Sequence, residues 1–236
     1  VPTTIEIVDI AGLVKGASKG EGLGNKFLAN IRNTNAIIHV LRCFENDNIT
    51  HVDGSIDPVR DKGIIDTELQ LKDLETIENR LAKTQKQAVV GGDKQAKRAV
   101  EILLQYKAVL EQGLSARTVE LEKEDRKLVA DLNLLTDKPV LYVCNVDEKS
   151  AVTGNEHTRA VEAAIADERA EMLIVAAATE ADIAELDEYE ERQMFLEEIG
   201  LKESGVARLI KAAYKLLDLQ TFFTTGADES RAWTFR

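Results

Sequence analysis

Two polar motifs, each directly after an apolar run, hold the side chains best suited to chemistry. Asp9 and Gly12 form Asp-x-x-Gly, in which the carboxylate can hold Mg²⁺ through water and the glycine N–H can meet a γ-phosphate. Asn145 and Glu148 form Asn-x-x-Glu after a second run. Each motif alone is also compatible with an ordinary cap or polar turn. Their order along the chain predicts the metal and base corners of a nucleotide hydrolase.

The second motif favours adenine over guanine. Guanine-nucleotide hydrolases read their base with Asn-Lys-x-Asp, but this chain has Val146 in place of the lysine and Glu148 in place of the aspartate. The substitutions remove the lysine stem and shift the carboxylate by about one methylene, which spoils a guanine site. We therefore expect ATP to bind better than GTP. A later run ends in three alanines, and Ala177 among them is predicted to lie beside the base.

Two parts of a usual phosphate site are absent from the sequence. No G-x-x-x-x-G-K-[ST] occurs between Val1 and Arg236, so we expect a fragment with little or no ATP turnover. Leu13 stands where many related hydrolases have a glutamine that orients water. His51, in a polar loop after the second predicted strand, is the candidate to orient water instead. A solvated loop histidine is the alternative interpretation.

The composition excludes several classes of function. A net charge of −12 argues against a protein that coats duplex DNA. Cys43 and Cys144 each end a strand-like run, which favours buried free thiols over a disulfide or metal site. No signal peptide or long apolar stretch is present, so we expect a cytoplasmic protein without membrane contact.

The periodicity predicts an α/β fold interrupted by a helical hairpin. Strands are expected at 4–10, 36–43, 140–144 and 172–177, with a final strand pair at 221–224 and 231–235. Helices are expected at 26–33, 64–86, 94–110, 123–133, 158–167, 187–199 and 206–217. The corresponding domains are a first nucleotide-binding part (1–63), a helical coiled-coil insertion (64–134), a second nucleotide-binding part (135–217) and the start of another small domain (218–236).

Five segments together resemble the YchF, or Obg-like ATPase, family of Obg-related P-loop hydrolases. They are 8–14, 16–25, 42–47, 145–148 and 231–234. The resemblance implies a P-loop NTPase-type parallel sheet with helices on both faces, a coiled-coil insertion and a C-terminal α+β TGS domain. It also implies ATP hydrolysis with Mg²⁺ and association with the ribosome or its RNA. The residues that it carries over are Asp9 for the metal, Gly12, Asn145, Val146 and Glu148 for the nucleotide, and His51 for catalysis.

Two other functions remain open at this level. One is an Obg-type GTPase, and the other is a non-catalytic helical module that binds RNA or protein. Five cations cluster near the predicted hairpin tip, where they suit RNA or merely keep the tip soluble. They are Lys83, Lys86, Lys94, Lys97 and Arg98, and acidic neighbours such as Glu78 and Asp93 are expected to dilute them.

Overall fold

A three-stranded parallel sheet organises the chain. The structure is a computed structural model that describes residues 4–10, 23–49, 54–90, 93–226 and 230–235. The sheet order is β1 (Ile37–Arg42), β2 (Val140–Asn145) and β3 (Glu171–Val175). β2 is central, and its apolar run is buried on both faces, as parallel strands covered by helices require. The predicted α/β class is confirmed.

Helices cover the sheet and connect its strands. α1 (Leu23–Arg32) precedes β1, α5 (Glu156–Ile165) joins β2 to β3, and α8 (Gly205–Leu216) packs near β2 and β3. Two further helices follow β3, namely α6 (Ala177–Glu185) and α7 (Tyr189–Glu198). The sequence prediction missed α6, which has a weak amphipathic pattern and an N-cap residue, Ala176, whose side chain cannot cap. No helix in the described ranges is long and apolar enough to cross a membrane.

The predicted helical hairpin is confirmed, but it begins earlier than expected. α2 (Pro58–Val90) and α3 (Lys94–Glu111) pack together, and α4 (Lys123–Val129) packs on α3. The sequence prediction began this helix at residue 64, whereas it begins at Pro58, directly after Asp57, whose Oδ1 accepts a hydrogen bond from Arg60 N at 2.9 Å. Asp at the N-cap and Pro at the first helical position are a start signal, so α2 gains more than one turn.

Charged side chains join the base of the hairpin to the sheet. Lys62 on α2 donates to Asp66 and to Glu168, which follows α5. Glu168 Oε2 also accepts from Tyr142 OH on β2 at 2.9 Å and lies 3.6 Å from an Arg117 guanidinium nitrogen. The side chains of Lys62 and Arg117 are 7% and 9% exposed. We call these five residues the root cluster, since they hold both ends of the hairpin against β2.

Asp73 makes a second connection between the hairpin and the chain that returns to the sheet. Its buried carboxylate accepts hydrogen bonds from Leu135 N at 2.8 Å and from Thr136 N and Oγ1, both at 2.7 Å. Burial raises the pKa of Asp73, and the hydrogen bonds oppose that rise. α2 is therefore anchored at two positions along its length, by the root cluster and by Asp73.

The strand predicted at 4–10 is not a strand in this chain. Residues 4–10 have no regular secondary structure, and Ile7 and Val8 remain 59% and 55% exposed. A groove of 1450 Å³ is lined by this segment and by β1. Extended backbone becomes a strand only when a neighbour completes its hydrogen bonds, and none of the described strands pairs with 4–10. β1 pairs only with β2 among the described strands, and its side chains are largely half-buried.

The C-terminal pair of strands is confirmed. β4 (Gln220–Thr225) and β5 (Ser230–Phe235) are antiparallel, with Phe222 and Phe235 in edge contact at 5.7 Å between ring centroids. Trp233 Nε1 donates to Thr224 Oγ1 at 2.8 Å. The side chains along β4 are exposed, as in a hairpin that contributes one face of a larger unit. Its assignment to a TGS domain stays a prediction.

Candidate functional site

The carboxyl edge of the sheet brings three chain segments together. β1, β2 and β3 are parallel, so Cys43, the residues after Asn145 and the residues after Val175 all leave the sheet at one edge. Cys43 N donates to Asn145 O at 2.7 Å, and Val146 N donates to Val175 O at 2.9 Å. Ligands of open α/β sheets bind at this kind of edge. The second predicted motif therefore lies where a nucleotide base could bind.

Asn145 connects the ends of two strands through its side chain. Its Oδ1 accepts a hydrogen bond from Ala177 N at 3.0 Å. Ala177 is the first residue of α6, whose N-cap residue, Ala176, has no side chain able to cap. Asn145 thus caps α6 from a neighbouring strand. This hydrogen bond fixes the orientation of the Asn145 carboxamide and therefore the direction of its two Nδ2 donors. The structure brings together Asn145 and Ala177, both predicted for the nucleotide site.

Val146 and Glu148 have different environments. Val146 is 3% exposed and belongs to the apolar cluster around β2, so its side chain fills the core. Glu148 begins a short 3₁₀ turn and is exposed, with no ion pair to any side chain that the structure describes. Of these two side chains, only that of Glu148 is open to a ligand at the surface.

Asn155 supports the same edge and was missed by the sequence interpretation. Its Nδ2 donates to Cys43 O at 2.7 Å, and its Oδ1 accepts from Thr158 N at 3.1 Å at the start of α5. The Asn-x-x-Thr spacing of a capping box was visible in the sequence. Gly154 precedes it with φ +68°, and a Cβ there would lie 2.3 Å from Thr158 Oγ1. Glycine is required at that turn.

Arg42 organises the loop that follows β1. Its guanidinium donates to the carbonyl oxygens of Phe44 at 3.2 Å, Asn46 at 3.2 Å and Ile49 at 2.9 Å. The guanidinium carbon also lies 4.9 Å from the centre of the Phe44 ring. Arg42, at the end of β1, therefore holds in place the loop that leads toward the predicted catalytic histidine.

Asp9, Gly12 and His51 are the remaining predicted site residues. Asp9 is exposed and lines the groove beside β1. Gly12 and His51 lie outside the described residues. Within the described part of the chain, no group of three or more His, Cys, Asp or Glu side chains could hold a metal ion. A single carboxylate is nevertheless enough for Mg²⁺ when phosphates and waters supply the other ligands.

The predicted free thiols are confirmed. Cys43 and Cys144 are both buried and unpaired by a disulfide. A hydrogen bond with Cys144 and burial together raise the pKa of the Cys43 thiol. Both side chains lie in the apolar cluster beneath the carboxyl edge, so Cys43 acts as a small core residue.

Comparison with known proteins finds relatives that are named as ATPases or GTPases. A protein family described as "50S ribosome-binding GTPase" matches residues 2–89. A protein named "Ribosome-binding ATPase YchF" from Bacillus subtilis is 53% identical over 238 residues, covering 100% of this chain and 64% of the relative. Its namesake from Escherichia coli O157:H7 is 51% identical over 234 residues, covering 99% of this chain and 64% of the relative.

A solved structure agrees with these relatives. The "Structure of the Schizosaccharomyces pombe YchF GTPase" matches with a TM-score of 0.81 and 32% identity, covering 96% of this chain and 62% of that chain. This chain thus spans a little under two thirds of the length of the proteins that it matches. The names of these proteins differ on the nucleotide, since the two relatives are called ATPases and the solved structure is called a GTPase.

Proposed function

Because this chain belongs to the YchF family over the length that it spans, we propose that the protein binds and hydrolyses ATP in preference to GTP and acts with the ribosome as a nucleotide-dependent switch. The observation that carries the proposal is the hydrogen bond from Ala177 N to Asn145 Oδ1 at 3.0 Å. It joins two predicted nucleotide-binding residues at the carboxyl edge of a parallel sheet.

The preference for ATP rests on what surrounds Asn145. A guanine reader needs a carboxylate at a fixed distance to accept two hydrogen bonds, and Glu148 is exposed and one methylene longer than aspartate. Buried Val146 offers no cationic stem to lie along the base. Adenine presents one amino donor and one ring acceptor, which the Asn145 carboxamide can match.

The residues that the structure describes offer Mg²⁺ one predicted protein ligand. Asp9 supplies one exposed carboxylate, and Mg²⁺ commonly takes one or two carboxylates together with phosphate oxygens and water. The ion would neutralise charge on the β- and γ-phosphates. In this proposal Asp9 would hold the hydrated ion, Gly12 would present its N–H to the γ-phosphate and His51 would position the attacking water.

A competition experiment on the full-length protein tests the preference. Displacement of a fluorescent ATP analogue by ATP and by GTP is measured for the wild type and for Asn145→Ala. We expect ATP to compete better than GTP, and Asn145→Ala to weaken ATP binding by about tenfold, which corresponds to about 1.4 kcal/mol. Asn79→Ala, an exposed change on α2, is the matched control and should bind like the wild type. Equal displacement by both nucleotides contradicts the ATP preference.

The GTPase alternative is favoured by the similarity to the fungal structure, which is described as a GTPase. The double variant Val146→Lys and Glu148→Asp restores the guanine-reading pattern in this sequence. It should shift the competition toward GTP relative to the wild type. A wild type that already prefers GTP would establish the alternative, and no binding of either nucleotide would favour a purely helical binding module.

A further inference from the structure

The far end of the helical hairpin carries four exposed lysines. Lys83 and Lys86 lie near the end of α2, and Lys94 and Lys97 lie in the first turns of α3. Within each pair the spacing is three residues, which places both side chains on one side of their helix. We call Lys83, Lys86, Lys94 and Lys97 the tip lysines.

The tip lysines have no acidic partners in the part of the chain that the structure describes, although basic side chains close by do. Arg98 binds Asp125 through two nitrogens, at 3.1 and 2.6 Å, and Glu101 at 2.7 Å. Lys107 lies 2.7 Å from Glu78. The sequence suggested that acidic neighbours dilute the tip, but Glu78 is engaged by Lys107. The Asp93 side chain instead caps α3 by accepting from Gln95 N at 2.8 Å.

The charge of the tip is opposite to that of the rest of the chain. Residues 82–98 contain five lysines and arginines and one aspartate, a balance of +4, whereas the whole chain carries −12. The other residues therefore carry −16. A polyanion is repelled by most of the surface and attracted by the tip, so the field directs it to this end of the hairpin.

The tip is supported by close helix packing. Thr84, Ala88, Ala96 and Ala99 are buried between the helices, where small side chains let α2 and α3 approach closely. Residues 82–98 contain no aromatic side chain on which a base could stack. A cluster of lysines without aromatic residues suits phosphates and does not read sequence.

From these observations we propose that the tip lysines bind the phosphate backbone of ribosomal RNA. The choice of ribosomal RNA rests on the proposed function, while the preference for an RNA backbone rests on the positive charge of the tip and its lack of aromatic side chains. Paired RNA exposes regularly spaced phosphates along its grooves, which exposed lysines can contact. Nucleotide binding at the carboxyl edge of the sheet uses none of these side chains.

The test compares two charge-matched variants of the full-length protein. In one, all four tip lysines are changed to Gln, and in the other Lys123, Lys127, Lys202 and Lys211 are changed to Gln. Binding to a short RNA duplex is measured by fluorescence anisotropy between about 50 and 200 mM KCl, and binding to purified ribosomes is measured by sedimentation. ATP binding is measured on the same samples, and circular dichroism checks that both variants are folded.

We expect the tip variant to bind RNA at least about tenfold more weakly and to lose about 3 from the slope of log K against log salt, since each phosphate contact contributes about 0.7 to 0.9. Its ribosome sedimentation should fall, while the control variant stays near the wild type. Equal losses in both variants, or none in the tip variant, would overturn the proposal. Lost ribosome binding with unchanged RNA binding would also overturn it, in favour of a ribosomal protein.

The two proposals fail separately. RNA binding that depends on the tip lysines in a protein without ATP binding leaves the tip proposal standing and removes the ATPase proposal. Normal ATP binding in a tip variant with wild-type RNA affinity does the reverse.

Discussion

The sequence spacing predicted one role of the Asn145 side chain but not its contacts in the fold. Its place at the end of an apolar run, followed three residues later by Glu148, predicted a base-binding role that stays a prediction. Its contact with Ala177 depends on the pairing of Asn145 with Val175 in neighbouring strands, which are 30 residues apart. Sheet register is a tertiary property, so the sequence motif alone did not reveal that Asn145 also caps α6.

At the same scale, His51 carries the water-positioning step of the proposed mechanism. In the full-length protein, His51→Ala should lower the turnover number by about 10²-fold or more while leaving the Kd for ATP unchanged, because the ring acts on water and not on the nucleotide. Phosphate release and equilibrium binding measure the two quantities. His157→Ala, which removes a half-buried histidine on α5, is the control. Unchanged turnover in His51→Ala would remove the role.

His39 predicts a pH dependence of folding. Burial lowers the pKa of this side chain on β1, so the folded chain favours the neutral ring. Protonation therefore favours unfolding, and stability should fall as the pH drops through the unfolded value of about 6.5. Urea unfolding between pH 5 and pH 7.5 should show this fall.

The variant His39→Gln isolates that contribution. The pH slope of its free energy of unfolding should be smaller by up to about one proton. If the slope matched that of the wild type, the fall would have to come from other groups.

Among the elements, the sequence pattern predicts the helical hairpin and β2. It does not predict how the hairpin is attached to the sheet. Helical periodicity predicted α2 and α3, and a compact apolar run predicted β2. Lys62, Arg117 and Glu168 are distant in sequence and carry no periodic signal, so only the packed fold reveals the root cluster. The segment 4–10 fails as a strand for a related reason, because pairing and not propensity decides it.

Glu168 should be the most sensitive member of the root cluster. Glu168→Gln leaves Arg117 and Lys62 buried with less opposite charge, and breaking such a buried pair costs about 3 kcal/mol. Chemical denaturation should show this loss in the free energy of unfolding. The exposed change Glu162→Gln on α5 is the control and should cost less than about 0.5 kcal/mol. A loss as small in Glu168→Gln would mean that the cluster does not stabilise the junction.

For the whole molecule, the absence of one sequence motif predicts how active this chain is by itself. The 236 residues contain no phosphate-loop motif, so the purified chain should release little or no phosphate from ATP. Phosphate release by the chain and by the full-length protein is compared at saturating ATP and Mg²⁺. Robust turnover by the chain that Asp9→Ala abolishes would contradict this expectation and would place a complete site within these residues.

The long insertion between β1 and β2 also constrains how the protein folds. Ile37 pairs with Val140, which lies 103 residues further along the chain. Closing so long a loop is entropically costly if the intervening chain is unstructured. The hairpin consists of local contacts and has its own apolar core, so it can form early and bring its two ends together. We therefore expect the helical hairpin to form first and the parallel sheet second, with the root cluster closing as the two strands meet.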